Sequence, residues 1–323
     1  MIQRIAITGS SGFYGRALIR KIRQEDPSVQ ILGCDLIPPR TGTHPLEAAH
    51  QFAECDITSE HASTSIADFQ PDTIVHLAFV VNPMRNERRM RQINVDGTKQ
   101  VLKAARIVKP KRLLIGSSAT AYGAWEDNAV PMTESFRLKS RDEYRYAADK
   151  VEVERMLAEF RDQQPGITVS WTRPCMIYGP GISNYLTQFI LEGPLIVLPG
   201  GNNTEFQFVH VDDVADATWT ILRNNGAGPF NVAPPDWFTL RELANMSGRR
   251  TAKVPLNACL TFTTIWWALR LPKFRFPSGL WYFIRFPWVI HPERLQSEMN
   301  FEFRYSSRDV IRQLLSDAGR LRD

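Results

Sequence analysis

The sequence has few cysteines, no long apolar segment and no strongly charged block, and each absence excludes a class of protein. There are four cysteines, none of them in a CxxC pair: Cys34, Cys55, Cys175 and Cys259. This spacing argues against a zinc site or a disulfide framework, so we expect no bound metal and reduced thiols in a cytoplasmic protein. No uninterrupted apolar run reaches the ~18 residues of a membrane-spanning helix. We also expect no signal peptide, because no separate apolar segment and cleavage site precede the first apolar strand.

The overall composition is that of a globular protein. Glycine and proline show no sequence period, which argues against collagen-like and repeat architectures. The net charge is a mild +5, and the one basic cluster, residues 85–91, also contains Glu87, which is typical of a solvated surface. We find no recognised nucleic-acid-binding module and expect no nucleic-acid partner. With 323 residues, 43% of them hydrophobic and 23% charged, the chain is expected to form two domains or one large domain with an appendage.

Short apolar segments alternate with segments of helical spacing. The predicted strands cover residues 2–8, 29–34, 51–53, 73–80, 111–116, 167–172, 207–211 and 229–232. The predicted helices cover residues 13–23, 93–108 and about 213–223, one starts at the capping box Thr239 to Glu242, and the last covers about 307–315. Such alternation is typical of a parallel sheet covered by helices on both faces.

The segment TGSSGFYG joins the first predicted strand to the first predicted helix. Gly9 suits a tight turn, Gly12 lets the backbone approach a pyrophosphate, and Gly15 allows close packing of the helix on the sheet. The phosphates would lie at the helix N-terminus, where free N–H groups and the helix dipole favour negative charge. Asp35 ends the second strand 20 residues past Gly15, where it would bind ribose hydroxyls and repel a 2′-phosphate. The pattern predicts NAD as the cofactor, and Arg40 leaves NADP as a less favoured alternative.

Two further segments carry candidate catalytic groups. Tyr146 and Lys150 are four residues apart on a predicted helix, which places both on one face. A nearby ammonium lowers the pKa of a tyrosine hydroxyl, so the pair could exchange a proton with an alcohol or ketone oxygen. Ser118 follows the fifth strand, at the end where ligands bind in such sheets. Each segment alone also fits a plain structural role: a surface Tyr–Lys pair, or a serine that caps a turn.

In this order the segments resemble the extended short-chain dehydrogenase/reductase family, in its NAD-dependent epimerase/dehydratase group. The matching segments are TGSSGFYG (8–15), Asp35, CDI (55–57), HLAFV (76–80), NVDGT (94–98), GSSATAYG (116–123), YAADK (146–150), RPCMIYGPG (173–181) and FVHVDDVADA (208–217). The resemblance implies Tyr146 as the catalytic acid/base, Lys150 as the group that lowers its pKa and holds the nicotinamide ribose, and Ser118 as the group that positions the substrate oxygen.

The resemblance also implies the remaining site residues and the architecture. The cofactor-binding set is Gly9, Ser11, Gly12, Phe13, Tyr14, Gly15, Asp35, Asp56, Ile57, Leu77, Ala78, Asn94, Tyr146, Lys150 and Pro174. The substrate set is Val80, Ser118, Thr120, Met176 and Phe206. We predict an α/β fold, a Rossmann-type doubly wound parallel sheet formed by residues 1–175 and 206–233. A smaller, mostly α-helical substrate domain would comprise residues 176–205 and 234–323, and the family's dimer through the helix of Tyr146 suggests a homodimer.

The departures from the family's motifs bear on the substrate. Sugar dehydratases carry Asp-Glu after the catalytic hydroxyl, where this chain has Ala119 and Thr120, which cannot perform elimination chemistry. Nucleotide-sugar epimerases place an asparagine at the position of Met176 and a diphosphate-binding arginine at the position of Phe206. We therefore expect an oxidoreductase that acts on a secondary alcohol or ketone of a small apolar or modified-sugar molecule. The alternatives are a UDP-sugar 4-epimerase and a non-catalytic NAD-binding regulatory or assembly subunit.

Residues 260–290 are rich in aromatic side chains interleaved with lysine and arginine. Three interpretations stay open: packing in the core or at a subunit interface, the wall of an apolar substrate pocket, and contact with a membrane surface. Membrane contact is not favoured, because Pro272, Pro277 and Pro287 interrupt any long helix.

Overall fold

The computed structural model describes residues 1–39, 44–182, 187, 190–191, 193–270 and 277–322. The strands are β1 Arg4–Thr8, β2 Gln30–Asp35, β3 Gln51–Glu54, β4 Thr73–His76, β5 Arg112–Gly116, β6 Thr168–Pro174, β7 Met176–Tyr178, β8 Leu195–Pro199, β9 Glu205–Phe206, β10 Phe208–His210, β11 Gly228–Val232, β12 Phe238–Thr239 and β13 Arg250–Val254. The helices are α1 Phe13–Glu25, α2 Glu60–Phe69, α3 Glu87–Arg91, α4 Gly97–Val108, α5 Arg145–Gln163, α6 Val211–Arg223, α7 Leu240–Met246, α8 Leu256–Ala268, α9 Leu280–Arg285, α10 Glu293–Met299 and α11 Ser307–Asp317.

Seven parallel strands form the central sheet in the order β11-β6-β5-β4-β1-β2-β3. Alternate residues of β1 show how both faces are buried: Ile5 and Ile7 join a core with α1 and α6, and Ala6 joins a core with α2, α4 and α5. Because both faces are covered, the strands are apolar throughout rather than alternately polar. This arrangement confirms the predicted Rossmann-type fold.

The chain order reverses at β1, which lies between β2 and β4. At such a switch point the loops leave the sheet in opposite directions and open a crevice at the carboxyl ends of the strands. The glycine loop follows β1, residues 77–80 follow β4, and Ser117 and Ser118 follow β5. The topology thus brings three of the matching segments to one edge of the sheet.

Two element boundaries differ from the predictions by four residues or more. The fourth strand, predicted over 73–80, ends at His76, because the chain leaves the sheet at the crevice and Val80 N–H donates to Asn94 Oδ1 at 2.9 Å. The helix predicted from residue 93 already begins at Glu87, where the Asn86 side chain accepts a hydrogen bond from Arg89 N–H at 3.0 Å. The capping box at Thr239 is present as predicted.

The C-terminal part of the chain packs beside the carboxyl edge of the sheet. Among the described residues it combines α7 to α11 with three two-stranded pairings, β7 with β10, β9 with β12, and β8 with β13. In the part of the chain that the structure describes, no helix is long and apolar enough to cross a membrane.

The aromatic residues of this region fall into two groups. Trp281 and Phe283 are buried, which confirms the core interpretation for them, and Trp288 is buried as well. Phe262 on α8, by contrast, is 51% exposed. Residues 271–276, to which the three interpretations also apply, lie outside the described residues.

Candidate active site

A cavity of 430 Å³ opens at the carboxyl edge of the sheet, where the switch point places it. Its wall includes thirteen of the predicted site residues: Gly9, Gly12, Phe13, Tyr14, Gly15, Leu77, Val80, Ser118, Thr120, Tyr146, Lys150, Pro174 and Met176. The cavity thus joins the glycine loop, at one end of the predicted cofactor site, to the candidate catalytic groups.

The glycine loop has the geometry that a pyrophosphate requires. Gly9 has a φ of +71°, and a Cβ there would lie 2.7 Å from Ala78 N. A Cβ on Gly12 would lie 3.1 Å from Gly9 O and within 4 Å of no other atom beyond its chain neighbours. The buried hydroxyls of Ser10 and Ser11 have no hydrogen-bond partner among the described residues, but neither serine is on the cavity wall. The lack of a side chain at Gly12 and the N-terminus of the 13-residue α1 fit the anionic part of NAD.

Asp35 lies beside this loop at the end of β2. One carboxylate oxygen accepts a hydrogen bond from Ser11 N–H at 3.0 Å, and the other accepts one from Ile37 N–H at 3.3 Å. The carboxylate is thereby held at the loop, as an acid that binds ribose hydroxyls must be. Arg40, which left NADP open, lies outside the described residues.

Asp56 and Ile57, two members of the predicted cofactor-binding set, lie next to β3 and outside the cavity wall. Asp56 forms an ion pair with Arg89 at 2.6 Å and accepts a hydrogen bond from Thr58 N–H at 2.9 Å. Ile57 is buried against Gly97, whose missing Cβ would lie 2.9 Å from the Ile57 side chain. The Arg89 ion pair shows that the basic cluster at 85–91 is partly paired rather than simply solvated.

Tyr146 and Ser118 form the centre of the candidate catalytic group. Tyr146 lies on the first turn of α5 and is 6% exposed. Burial raises the pKa of its hydroxyl, and a hydrogen bond with Ser118 lowers it. The Ser118 oxygen also accepts hydrogen bonds from Thr120 N–H at 3.2 Å and from the Thr120 hydroxyl at 3.0 Å. Because these two bonds occupy its acceptor sites, the Ser118 proton is directed to Tyr146 or to a substrate oxygen.

Lys150 lies one turn further along α5, on the same face as Tyr146. Its ammonium donates to Gly116 O at 2.5 Å and lies 3.0 Å from the centre of the Phe79 ring and 5.6 Å from that of Tyr146. Burial lowers the pKa of Lys150, and the nearby carboxylate of Glu154 raises it. The Tyr146 hydroxyl thus has a direct hydrogen bond with Ser118, which lowers its pKa, and the Lys150 ammonium lies near its ring.

Asn94 holds the loop after β4 against α5. Its side-chain oxygen accepts from Val80 N–H at 2.9 Å, and its amide donates to Asp149 at 3.2 Å. Asn94 lies in a π-helical segment, Gln92–Asp96, between α3 and α4. Such segments redirect a side chain out of the regular helical register and are frequent at functional sites. Asn94 therefore supports the site indirectly, by fixing the loop that follows β4. Two predicted cofactor residues, Ala78 and Asn94, are not on the cavity wall.

The cavity wall is mainly apolar. Four of the five predicted substrate residues line it, Val80, Ser118, Thr120 and Met176, whereas Phe206 is buried in β9 against Phe238. The lining residues that were not among the predicted site residues are Phe79, Val81, Asn82, Gly116, Ser117, Tyr144, Cys175, Ile177, Ile182, Thr187, Phe208 and Trp288. Most of them lie within a matching segment or close to one in the sequence. Trp288 is the exception, since only the aromatic composition of residues 260–290 pointed to a pocket wall.

The sequence profile of the family described as "NAD dependent epimerase/dehydratase family" matches residues 5–233. The chain belongs to this family. A family of this kind is enzymatic and uses NAD, so the protein is an NAD-dependent enzyme of the epimerase/dehydratase family, and the fit of the glycine loop agrees with that cofactor.

Several curated relatives and solved structures are similar to this family member. It is 28% identical over 256 residues to a UDP-glucose 4-epimerase of Mycolicibacterium smegmatis, covering 74% of this chain and 80% of that protein. It is 23% identical over 322 residues to an uncharacterized protein, y4nG, of Sinorhizobium fredii, and the match covers 96% of this chain and 77% of that protein. The crystal structure of a Thermus thermophilus UDP-glucose 4-epimerase with NAD has a TM-score of 0.73 at 18% identity and covers 98% of this chain and 99% of that one. At that identity the likeness shows the shared fold.

Proposed function

We propose that this family member transfers a hydride between NAD and a secondary alcohol or ketone carbon of an uncharged, largely apolar molecule. One observation carries the choice of substrate. Among the described residues of the cavity wall, Lys150 is the only charged side chain, and its ammonium is bonded to Gly116 O. A nucleotide sugar would bring a second diphosphate besides that of NAD, for which nucleotide-sugar epimerases place an arginine side chain, and the described part of the wall offers no further cation for it.

The residues of the chain would divide the reaction as follows. NAD, when bound, supplies the carbon that accepts or returns the hydride. Tyr146 takes the hydroxyl proton of the alcohol in oxidation and gives a proton to the ketone oxygen in reduction. Ser118 holds the same oxygen through its directed proton, and Lys150 supplies positive charge beside the phenolate that forms. The glycine loop and Asp35 would hold the pyrophosphate and the adenosine ribose, which favours NAD over NADP.

A second candidate function is a UDP-sugar 4-epimerase, and the 28% identical mycobacterial relative favours it. An epimerase uses the same tyrosine, lysine and serine, but it returns the hydride to the other face of its ketone intermediate. Met176 and Phe206 lie where such an enzyme would need polar and cationic side chains, and this weighs against the second candidate.

The test is turnover of two substrate panels by the purified full-length chain. One panel contains apolar secondary alcohols with NAD and the matching ketones with NADH, followed by absorbance of NADH. The other contains UDP-glucose and UDP-galactose, followed by chromatography of the nucleotide sugars. We expect turnover in the first panel only.

Tyr146→Phe separates an enzyme from a non-catalytic NAD-binding subunit. We expect turnover to fall by about 10²- to 10⁴-fold, the usual contribution of general acid–base catalysis, with NAD binding retained. Tyr305→Phe is the matched control, because Tyr305 packs on His210 and is not among the residues of the cavity wall. Interconversion of UDP-sugars without net NADH would establish the epimerase instead. An unchanged rate in Tyr146→Phe would contradict the proposed mechanism.

We also propose that the protein forms a homodimer whose interface includes α5 and that it is located in the cytoplasm.

A further inference from the structure

Helix α8, Leu256–Ala268, exposes apolar side chains to the surroundings. Its inner face carries the buried Cys259 and Thr263, and the Thr263 hydroxyl accepts a hydrogen bond from Trp281 Nε1 at 2.7 Å. The outer face carries Phe262 (51% exposed) and Ile265 (54% exposed), and Leu269 (64% exposed) follows one turn later. These three residues have the spacing of one helical face. A water-facing helix surface normally carries charged side chains, but residues 256–269 contain none.

The chain around this helix is basic and contains no acid. No aspartate or glutamate occurs between Glu242 and Glu293. The lysines and arginines of the same stretch are Arg249, Arg250, Lys253, Arg270, Lys273, Arg275 and Arg285. Among the described ones, Lys253 and Arg270 are exposed and border α8 at its two ends. The side chain of Arg85, from the basic cluster at 85–91, stacks on the Trp267 ring with 4.8 Å from Cζ to the ring centre.

We propose that the outer face of α8 binds the surface of a membrane that contains anionic lipids. An apolar face with tryptophan and phenylalanine, bordered by lysine and arginine, is the pattern of helices that lie in the interface of a bilayer. The apolar side chains enter the boundary between headgroups and acyl chains, and the basic side chains contact lipid phosphates. A helix that lies on the surface needs no spanning length, so the proposal agrees with the lack of a spanning helix among the described residues.

A second copy of this chain is a poorer occupant of the same face. In a symmetric dimer the same surface patch meets itself, so the exposed Lys253 and Arg270 that border α8 in each copy would come together. Like charges across such a contact are repulsive, whereas a surface of anionic lipids complements these basic side chains.

Helix α8 lies near one part of the cavity wall. Arg85, which stacks on Trp267, is three residues beyond Asn82, a residue of the cavity wall. A bilayer bound at α8 would therefore lie near one side of the cavity, where an apolar substrate dissolved in lipid could reach it. The membrane proposal itself does not depend on which reaction the enzyme catalyses.

The experiment is co-flotation of the purified full-length protein with vesicles of phosphatidylcholine alone and of equimolar phosphatidylcholine and phosphatidylglycerol. We expect binding to the anionic vesicles, with a blue shift of tryptophan emission. Raising the ionic strength from about 0.1 M to about 1 M shortens the Debye length from ~10 Å to ~3 Å and should weaken that binding. Absence of binding to anionic vesicles would overturn the proposal.

A triple variant, Phe262→Ser with Ile265→Ser and Leu269→Ser, tests the face itself. Loss of three buried apolar side chains should weaken partition into anionic vesicles by at least about a hundredfold. Ile107→Ser is the matched control, because Ile107 is 60% exposed on α4, next to Arg106, and should leave vesicle binding unchanged. Thermal stabilisation by NAD verifies that each variant is folded, and substrate turnover is followed separately.

Two results would contradict the assignment of this face to lipid. The first is triple-variant binding equal to that of the wild type. The second is a wild-type dimer that dissociates in the triple variant while neither protein binds vesicles, which would identify a second copy as the occupant.

Discussion

Tyr146 is buried, and its burial determines the pH range in which it can act as a base. Oxidation of an alcohol needs the phenolate, and burial raises the pKa of the Tyr146 hydroxyl above its ordinary value. Only a small fraction is then deprotonated at neutral pH, so kcat/KM for oxidation should rise about tenfold per pH unit through the neutral and mildly alkaline range. Reduction of a ketone needs the protonated form and should be nearly independent of pH over the same range.

Ser118→Ala should move this oxidation profile to higher pH. Its hydrogen bond lowers the pKa of Tyr146, so removing it raises that pKa further and reduces the phenolate at any given pH. Ser63→Ala is the control, since the buried Ser63 hydroxyl donates to Glu60 O at 2.8 Å and Ser63 is not among the residues of the cavity wall. The measurement is the pH profile of kcat/KM for both variants. A Ser118→Ala profile that coincides with the wild-type profile would show that Ser118 does not act on Tyr146.

Gly12 tests whether the glycine loop holds the cofactor or only forms a turn. Its φ of −70° is accessible to alanine, and a Cβ would lie 3.1 Å from Gly9 O, a close contact that a small backbone shift relieves, so Gly12→Ala should fold with a modest loss of stability. The added methyl group fills the space where a pyrophosphate would approach, so NAD affinity should fall by at least about tenfold.

Gly166→Ala is the control for this substitution, because no atom lies within 4 Å of the added Cβ. Calorimetric titration with NAD measures the NAD affinity of both variants, and thermal unfolding measures their stability. If Gly12→Ala binds NAD as tightly as Gly166→Ala, the loop is a packing turn and the cofactor lies elsewhere.

At the scale of elements, a buried ion pair fixes α5 to β6. The Arg173 guanidinium donates to both carboxylate oxygens of Glu154, at distances from 2.5 to 3.0 Å, and both side chains are at most 5% exposed. The indole of Trp171 and the hydroxyl of Ser117 donate to the same carboxylate. This network fixes α5, which carries Tyr146 and Lys150, to β6 and to Ser117, which follows β5.

Glu154→Gln should lower the free energy of unfolding by about 3 kcal/mol, because it leaves the Arg173 charge buried without a carboxylate. Glu159→Gln is the matched control on the same helix. Its ion pair with Arg155 has a separation of 4.0 Å and is mostly exposed, so the change should stay within about 1 kcal/mol. Urea unfolding of the two variants measures both effects. Equal losses of stability would show that the buried pair has no special role.

The sequence predicted which strands and helices position the site more accurately than it predicted where those elements end. The period of apolar residues identified the strands of the central sheet and the helices between them, because local burial decides that pattern. It did not predict that β4 stops at His76, since the stop depends on the bond between Val80 N–H and Asn94, fourteen residues away. Nor did it predict the π-helical segment that directs Asn94, because helical periodicity alone does not reveal an extra residue in a turn.

At the scale of the whole molecule, the site combines segments that are distant in the chain. The motifs predicted the cofactor half, in which the glycine loop, Ser118, Tyr146 and Lys150 line one cavity. They did not identify Trp288, which reaches the cavity from the C-terminal part, because a tryptophan carries no motif and its place follows from tertiary packing. The buried location of Phe206, away from the cavity wall, has the same cause. Contacts made by the C-terminal part of the chain are therefore the part of the cavity wall that a single sequence predicts least.

How the molecule handles NAD distinguishes the two candidate functions. As an oxidoreductase it uses NAD as a co-substrate that must leave after each turnover, so native mass spectrometry of dialysed protein should show mainly the free chain. Adding NAD at 100 times its Kd should then raise the free energy of unfolding by about 2.7 kcal/mol. NADP at the same concentration should stabilise less, because the carboxylate of Asp35, held at the glycine loop by Ser11 N–H, repels a 2′-phosphate. Stoichiometric NAD that survives dialysis would instead indicate an epimerase, which restores its cofactor within each turnover and has no need to release it.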